Sequence, residues 1–343
     1  MVVPQFILSK IPQGHCNADL PLDWKTLWTR LVIRVQRKLY GNSRGRLGTA
    51  YARECNVLDM DASIDLIASA IRDGHPFMAG KIGTGDSETI QRFIDIHAQG
   101  GRFRKTIRMI AGTSGPFWWD NWIRSGICVC AGVFPATDQS IEEFCRIFMP
   151  HCAEFDAVPG WLEGEKRLYE ILCPKAAIIK LESLVPFSHP RSWVGALEGK
   201  RVLVIHQYVE TIKAQYAKHV EFHQGQGPLP EFELIQYRPV DSIGGKNEDF
   251  PNWPAALEKM WSDISSIEFD VALIGCGVYG VPLCARIKRM GRIAILTGGA
   301  TQILFGIKGK RWDGLGIYNP NWIRPMPHDI PKRMDQIENG CFL

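Results

Sequence analysis

Val271-Ala272-Leu273-Ile274-Gly275-Cys276-Gly277-Val278-Tyr279-Gly280 reads as an apolar strand, a glycine turn and the start of a helix. The units on either side repeat this alternation. Upstream, the pattern predicts a strand over 201–205, a helix over 210–218, a strand over 231–237 and a helix over 253–264. Downstream come a helix over 281–290, a strand over 292–297, the turn Gly298-Gly299-Ala300-Thr301 and a helix over 301–307. Alternation of this kind predicts an α/β fold: a Rossmann-like, mostly parallel sheet with helices on both faces. Ligands of such sheets bind at the carboxyl ends of the strands, where His206, Gly275 and Gly298 fall.

A second glycine turn lies upstream, in Phe77-Met78-Ala79-Gly80-Lys81-Ile82-Gly83-Thr84-Gly85-Asp86-Ser87-Glu88. It reads as a strand over 77–82, a loop, and a helix from Ser87 to about Ala98. Further expectations in this half are helices over 63–72, 140–155 and 161–172, and strands over 107–110 and 176–181. A helix over 25–40 carries Leu27, Leu31, Val32 and Val35 on one face and basic residues opposite. Residues 1–24 read as an irregular arm, and Gly41–Gly48, with Arg44 and Arg46, as a basic loop. The connector 186–199 is the best candidate boundary. The chain divides into a helical arm (1–60), an α/β half carrying the acidic pair (61–190) and, beyond this connector, a Rossmann-like half carrying the glycine turns (191–343).

Forty basic residues nearly balance thirty-six acidic ones, so no nucleic-acid partner is implied. No apolar run approaches the length of a membrane span, and the N-terminus lacks the pattern of a signal peptide. The ten cysteines are scattered, without zinc spacing, and read as buried thiols of a reduced, cytoplasmic protein. Oligomeric state stays open.

Glycine turns at helix N-termini present backbone N–H groups to phosphate. Gly275, Gly277 and Gly280 match the dinucleotide fingerprint G-x-G-x-x-G, but the strand ending at Thr297 carries no ribose-binding acid. A diphosphate cradle for another nucleotide, a plain tight turn and an NAD(P) site all remain open. Gly298 and Gly299 form an adjacent turn that would share the same crevice, and Lys308, Lys310 and Arg311 follow it. Asp86 and Glu88 read either as acids favoured by a helix dipole or as ligands of a divalent metal or ribose, with one of them serving as general base. Lys81, Gly83, Thr84, Gly85, His206, Thr211 and Tyr279 would line a donor site beside these turns. Trp118, Trp119 and Trp122 read as core residues or as platforms for acceptor sugars.

The run Gly199–His206, with Glu210-Thr211-Ile212 and Gln215-Tyr216, resembles the C-terminal half of GT-D fold-like proteins of polysaccharide synthesis. The resemblance continues through Ile274–Gly280, Ile287–Gly291, Gly298–Trp312, Asn321–Pro325 and Gly340-Cys341-Phe342. Lys81–Glu88 is similar to the family's glycine turn ending in glutamate, with Thr84 and Ser87 departing from the commoner Phe-Gly-Asp-Gly-Glu form. The resemblance implies a glycosyltransferase that moves a sugar from a nucleotide-diphosphate sugar to a carbohydrate acceptor. Asp86 and Glu88 match the family's D-x-E motif, and Mn2+ or Mg2+ is the implied cofactor. An NAD(P)-dependent oxidoreductase and a non-catalytic nucleotide-binding protein of a glycan pathway are the alternatives.

Overall fold

The computed structural model describes residues 23–40, 56–111, 114–160, 165–185, 189, 191–223, 225–336 and 340–343. The arm before Asp23, the basic loop at 41–48 and the start of the helix expected from Trp161 lie outside these. Seven strands make one sheet: β1 Phe77–Gly80, β2 Ala157–Pro159, β3 Ala177–Ile179, β4 Arg201–His206, β5 Glu233–Tyr237, β6 Val271–Gly275 and β7 Ile293–Leu296. The helices are α1 Trp24–Tyr40, α2 Met60–Asp73, α3 Thr84–His97, α4 Arg102–Ile110, α5 Asn121–Arg124 and α6 Asp138–His151. They continue with α7 Glu165–Leu172, α8 Val209–Tyr216, α9 Trp253–Ser265, α10 Gly280–Arg289 and α11 Ala300–Leu304.

The sheet order is β3-β2-β1-β7-β6-β4-β5, and every pairing is parallel. This is the Rossmann-like α/β fold. Parallel strands covered on both faces need apolar side chains on both. Val202–Ile205 and Val271–Ile274 supply such continuous runs, and all eight residues are buried. One core packs α6, α9 and α10 against one face of the sheet, and a second packs α2, α8 and α11 against the other. The halves expected on either side of the 186–199 connector share this sheet, because β1 pairs with β7 along four residues.

Two helices differ from expectation. Residues 107–110 are the end of α4, not a strand. The Gly100-Gly101 break frees the chain to start again, and Phe103, Ile107 and Ile110 recur at helical spacing. Helix α1 forms where expected, but Leu27, Leu31 and Val35 face outward. Among its described side chains Thr26 and Thr29 are the buried ones, and they hydrogen-bond to Asp23 and Asp120. The reading of all cysteines as thiols is corrected at Cys130, which is disulfide-bonded. Cys128, Cys145, Cys152, Cys276 and Cys284 are free thiols.

Candidate functional site

Strand order decides where a crevice opens. After β4 the chain crosses to β5 on one side, and after β6 it crosses to β7 on the other, so the loops leaving β4 and β6 diverge. His206 ends β4 and sits in register with Gly275 at the end of β6. The turn after β7 lies against both. A Cβ on Gly275 would come within 2.7 Å of the Gly298 carbonyl oxygen, 2.8 Å of the His206 ring and 2.9 Å of the Thr301 hydroxyl. Only glycine permits that approach. Leu296 is held between the other turns, since a Cβ on either Gly80 or Gly280 would meet its side chain at 2.4 Å. The turns after β1, β7 and β6 thus stand side by side at one end of the sheet.

The turn after β1 is tighter than its sequence suggests. Helix α3 begins at Thr84, so Thr84, Gly85 and Asp86 form its first turn. Asp86 Oδ2 accepts the Gly83 N–H at 3.1 Å, a contact that caps the helix. Burial raises the Asp86 carboxyl to about 6, against the opposing pull of that N–H and of Lys81. Glu88 is exposed and accepts the Trp122 indole N–H at 3.3 Å. Between them the Ser87 hydroxyl is buried without a hydrogen-bond partner. Thr84 is exposed, while Lys81, Gly83 and Gly85 are part-exposed.

His206 is buried, and burial lowers its imidazole to about 4, so it is neutral. Its Nδ1 accepts the Tyr208 N–H at 3.0 Å. The ring proton therefore sits on Nε2, which becomes a hydrogen-bond donor. Gly277 adopts a left-handed φ of +59° and Gly298 one of +56°.

A segment that sequence reading treated only as an aromatic cluster joins the turns. Asp120 caps α5 through the Ile123 N–H, pairs with buried Arg92 at 3.0 Å and accepts the Thr29 hydroxyl at 2.6 Å. Helix α5 runs into a π-helical turn, Ser125–Cys130. The carbonyl of Gly126 faces Gly85, and that of Ala131 faces Gly277. A π-turn inside a helix is often a mark of function. Asp120 had a sequence signal, an acid directly before a helix. Its buried partner Arg92 had none.

Several expected ligand residues have their polar atoms engaged within the protein. Thr211 is fully buried, and its hydroxyl donates to Asp329 at 2.6 Å and accepts the Met326 N–H at 2.9 Å. Burial would raise the Asp329 carboxyl, but Thr211 and Arg238 bring it below the ordinary value. Tyr279 is buried, stacked on Trp253, with its hydroxyl donating to Ser242 at 2.9 Å. Trp119 is buried with its indole on Glu142, and Trp118 is half-buried. Only Trp122 of the three is exposed. A Cβ on Gly299 would strike Phe342 at 2.8 Å, so packing accounts for that glycine. Among the described residues no group of three or more His, Cys, Asp or Glu is placed to hold a metal ion. A cavity of about 250 Å³ lies at the opposite, amino end of the sheet. Its lining includes the Arg201–Asp270 pair and Arg292, which pairs with Glu268, away from the turns.

Residues 187–304 match the family model described as a GT-D fold-like domain. The chain carries a GT-D-like domain. No curated protein and no solved structure matches it. The GT-D-like segment holds β4 to β7, His206 and the turns at Gly275 and Gly298. Asp86 and Glu88 lie outside the matched residues and reach the same end of the sheet because β1 pairs with β7. No helix among the described residues is long and apolar enough to cross a membrane.

Proposed function

We propose that this protein is a glycosyltransferase that uses a nucleotide-diphosphate sugar and a carbohydrate acceptor. The observation that carries this reading is the meeting of the Asp86–Glu88 helix start with the β6 and β7 turns at one sheet end. The diphosphate would lie over Gly275, Gly277 and Gly298. The N-terminal dipole of α3, Lys81 and the His206 Nε2–H would supply positive potential and donors. The orphaned Ser87 hydroxyl fits a ligand oxygen, since a buried polar group without a partner is costly.

Glu88 is the better base. Its carboxylate is exposed, whereas Asp86 is turned back to its own helix cap. As the acceptor hydroxyl oxygen forms its bond to the sugar's anomeric carbon, Glu88 would take the hydroxyl proton and the nucleoside diphosphate would leave with the bond electrons. Trp122 would orient Glu88 through its indole N–H and offer its exposed face to an acceptor sugar. Two residues apart on α3, Asp86 and Glu88 do not face each other, so with Glu88 as base Asp86 would be the carboxylate that holds a Mg2+ or Mn2+ ion whose shell the substrate phosphates and water complete. Such an ion would neutralise the leaving diphosphate.

A thermal-shift panel of nucleoside diphosphates, their sugar conjugates and NAD(P)H, with and without Mn2+, tests the donor class. A shift with one nucleoside diphosphate and its conjugate is expected. Glu88→Gln should then leave that shift intact and lower turnover by about 100-fold or more. Stabilisation by NAD(P)H alone would replace this reading with an oxidoreductase. Nucleotide binding with no turnover for any sugar conjugate would favour a binding protein.

A further inference from the structure

The surface of α1 and α4 is built unlike the rest of the molecule. On α1, Trp24, Leu27, Trp28, Leu31 and Val35 recur at helical spacing on one face, and all are exposed, Trp24 by 67% and Trp28 by 54%. Helix α4 touches α1 and exposes Phe103 by 77%, together with Ile107 and Ile110. Large exposed apolar patches mark interaction sites. The charge is equally one-sided. The two helices carry nine Lys and Arg and no Asp or Glu, against a net charge of +4 for the whole chain, so the remainder is net acidic. Exposed Arg30, Arg34 and Lys38 flank the apolar face of α1, and Arg102 and Arg104 lie beside that of α4.

We propose that α1 and α4 together form a docking face for an anionic lipid bilayer, lying in the plane of its interface. A basic flank attracts anionic headgroups, and an apolar face with tryptophan enters the headgroup boundary. Nucleic acid would match the charge but not the exposed Trp, Leu and Phe. The face is rigidly held. Helix α1 is tied through Thr29 to Asp120 and through Asp23 to Arg124, so its inner side is spent on the fold. The same α5 segment carries Trp122, which fixes the docking face relative to Glu88.

Co-sedimentation of the full chain with vesicles tests this without reference to any transferase activity. Phosphatidylglycerol/phosphatidylcholine vesicles should bind it, phosphatidylcholine vesicles should not, and raised salt should weaken binding. Leu27→Glu/Leu31→Glu and, separately, Arg30→Glu/Arg34→Glu should each weaken partitioning by about tenfold or more. Phe103→Glu on α4 gives a second readout should the α1 variants fold poorly. Lys246→Glu/Lys332→Glu changes the net charge equally, away from these helices, and should leave binding nearly unchanged. Failure of the wild-type chain to bind anionic vesicles at low salt would overturn the proposal, as would equal loss in the control variant. A concentration-dependent dimer broken by Leu27→Glu/Leu31→Glu, without vesicle binding, would assign the face to a second copy of the chain instead.

Discussion

His206 and Asp86 are both perturbed by burial, and the consequences run in opposite directions. Burial holds the His206 imidazole at about 4, below its ordinary 6.5. Its contribution to stability is therefore complete above pH 6.5 and is lost as pH falls toward 4, since the unfolded chain takes up the proton first. A shift of this size corresponds to about 3 kcal/mol. His223, lowered by burial to about 3, adds to the same acid limb. His206→Asn keeps an acceptor for the Tyr208 N–H and removes the titration. Its unfolding midpoint should fall less steeply than wild type between pH 6.5 and 4, and a parallel profile would contradict the assignment. For Asp86 the folded carboxyl is raised from 3.8 to about 6, so the neutral form is favoured and stability is lost as pH rises through that window. Asp86→Asn retains an oxygen for the Gly83 N–H. It should match wild type near pH 3.5 and equal or exceed it at pH 8 in thermal unfolding. If Asp86 is a metal ligand, Mn2+ with nucleoside diphosphate should stabilise wild type and not the variant. A variant that still gains the Mn2+ increment would remove Asp86 from the metal site.

At the scale of the turns, glycine position rather than glycine content matters. Gly275→Ala would drive its Cβ against a backbone carbonyl, a buried ring and a buried hydroxyl, none of them a flexible chain end. A cost of about 1–3 kcal/mol is expected from overpacking. Gly195→Ala, where nothing lies within 4 Å of the new Cβ, should be neutral or slightly stabilising. Chemical denaturation of the two variants checks the contrast, and equal midpoints would mean the turn gives way freely. The turns were legible in the sequence because each stands where an apolar run hands over to a helical period. Which residues beside them face outward was not. Thr211, Tyr279 and Trp119 occupy the expected places in the chain, yet Asp329, Ser242 and Glu142 claim their polar atoms from distant elements. Helix α4 was misread because Ile107, Met109 and Ile110 crowd together locally. Its helical period shows only when Phe103 is counted, and Phe103, Ile107 and Ile110 are all exposed.

The whole molecule depends on one pairing that no local pattern announces. Strand β1 carries the acidic turn and β7 belongs to the GT-D-like segment, and they meet at the middle of the sheet from positions about two hundred residues apart. The alternation of strands and helices made a parallel sheet legible, but strand order is set by which edges remain open after each half has formed. The matched segment 187–304 contains β5, β4, β6 and β7 in contiguous order, and alone it would end on an exposed β7 edge. That edge is apolar: Ile293, Ala294, Ile295 and Leu296 are all buried in the complete sheet. Unpaired, flat, apolar edges invite aggregation. A fragment restricted to 187–304 is thus expected to be insoluble or loosely packed by circular dichroism and ANS binding. Co-expression with residues 56–185, which return β1 to its place, should recover a cooperative unfolding transition. A 187–304 fragment that unfolds cooperatively by itself would show that β1, and with it the Asp86–Glu88 turn, docks on a finished domain rather than completing one.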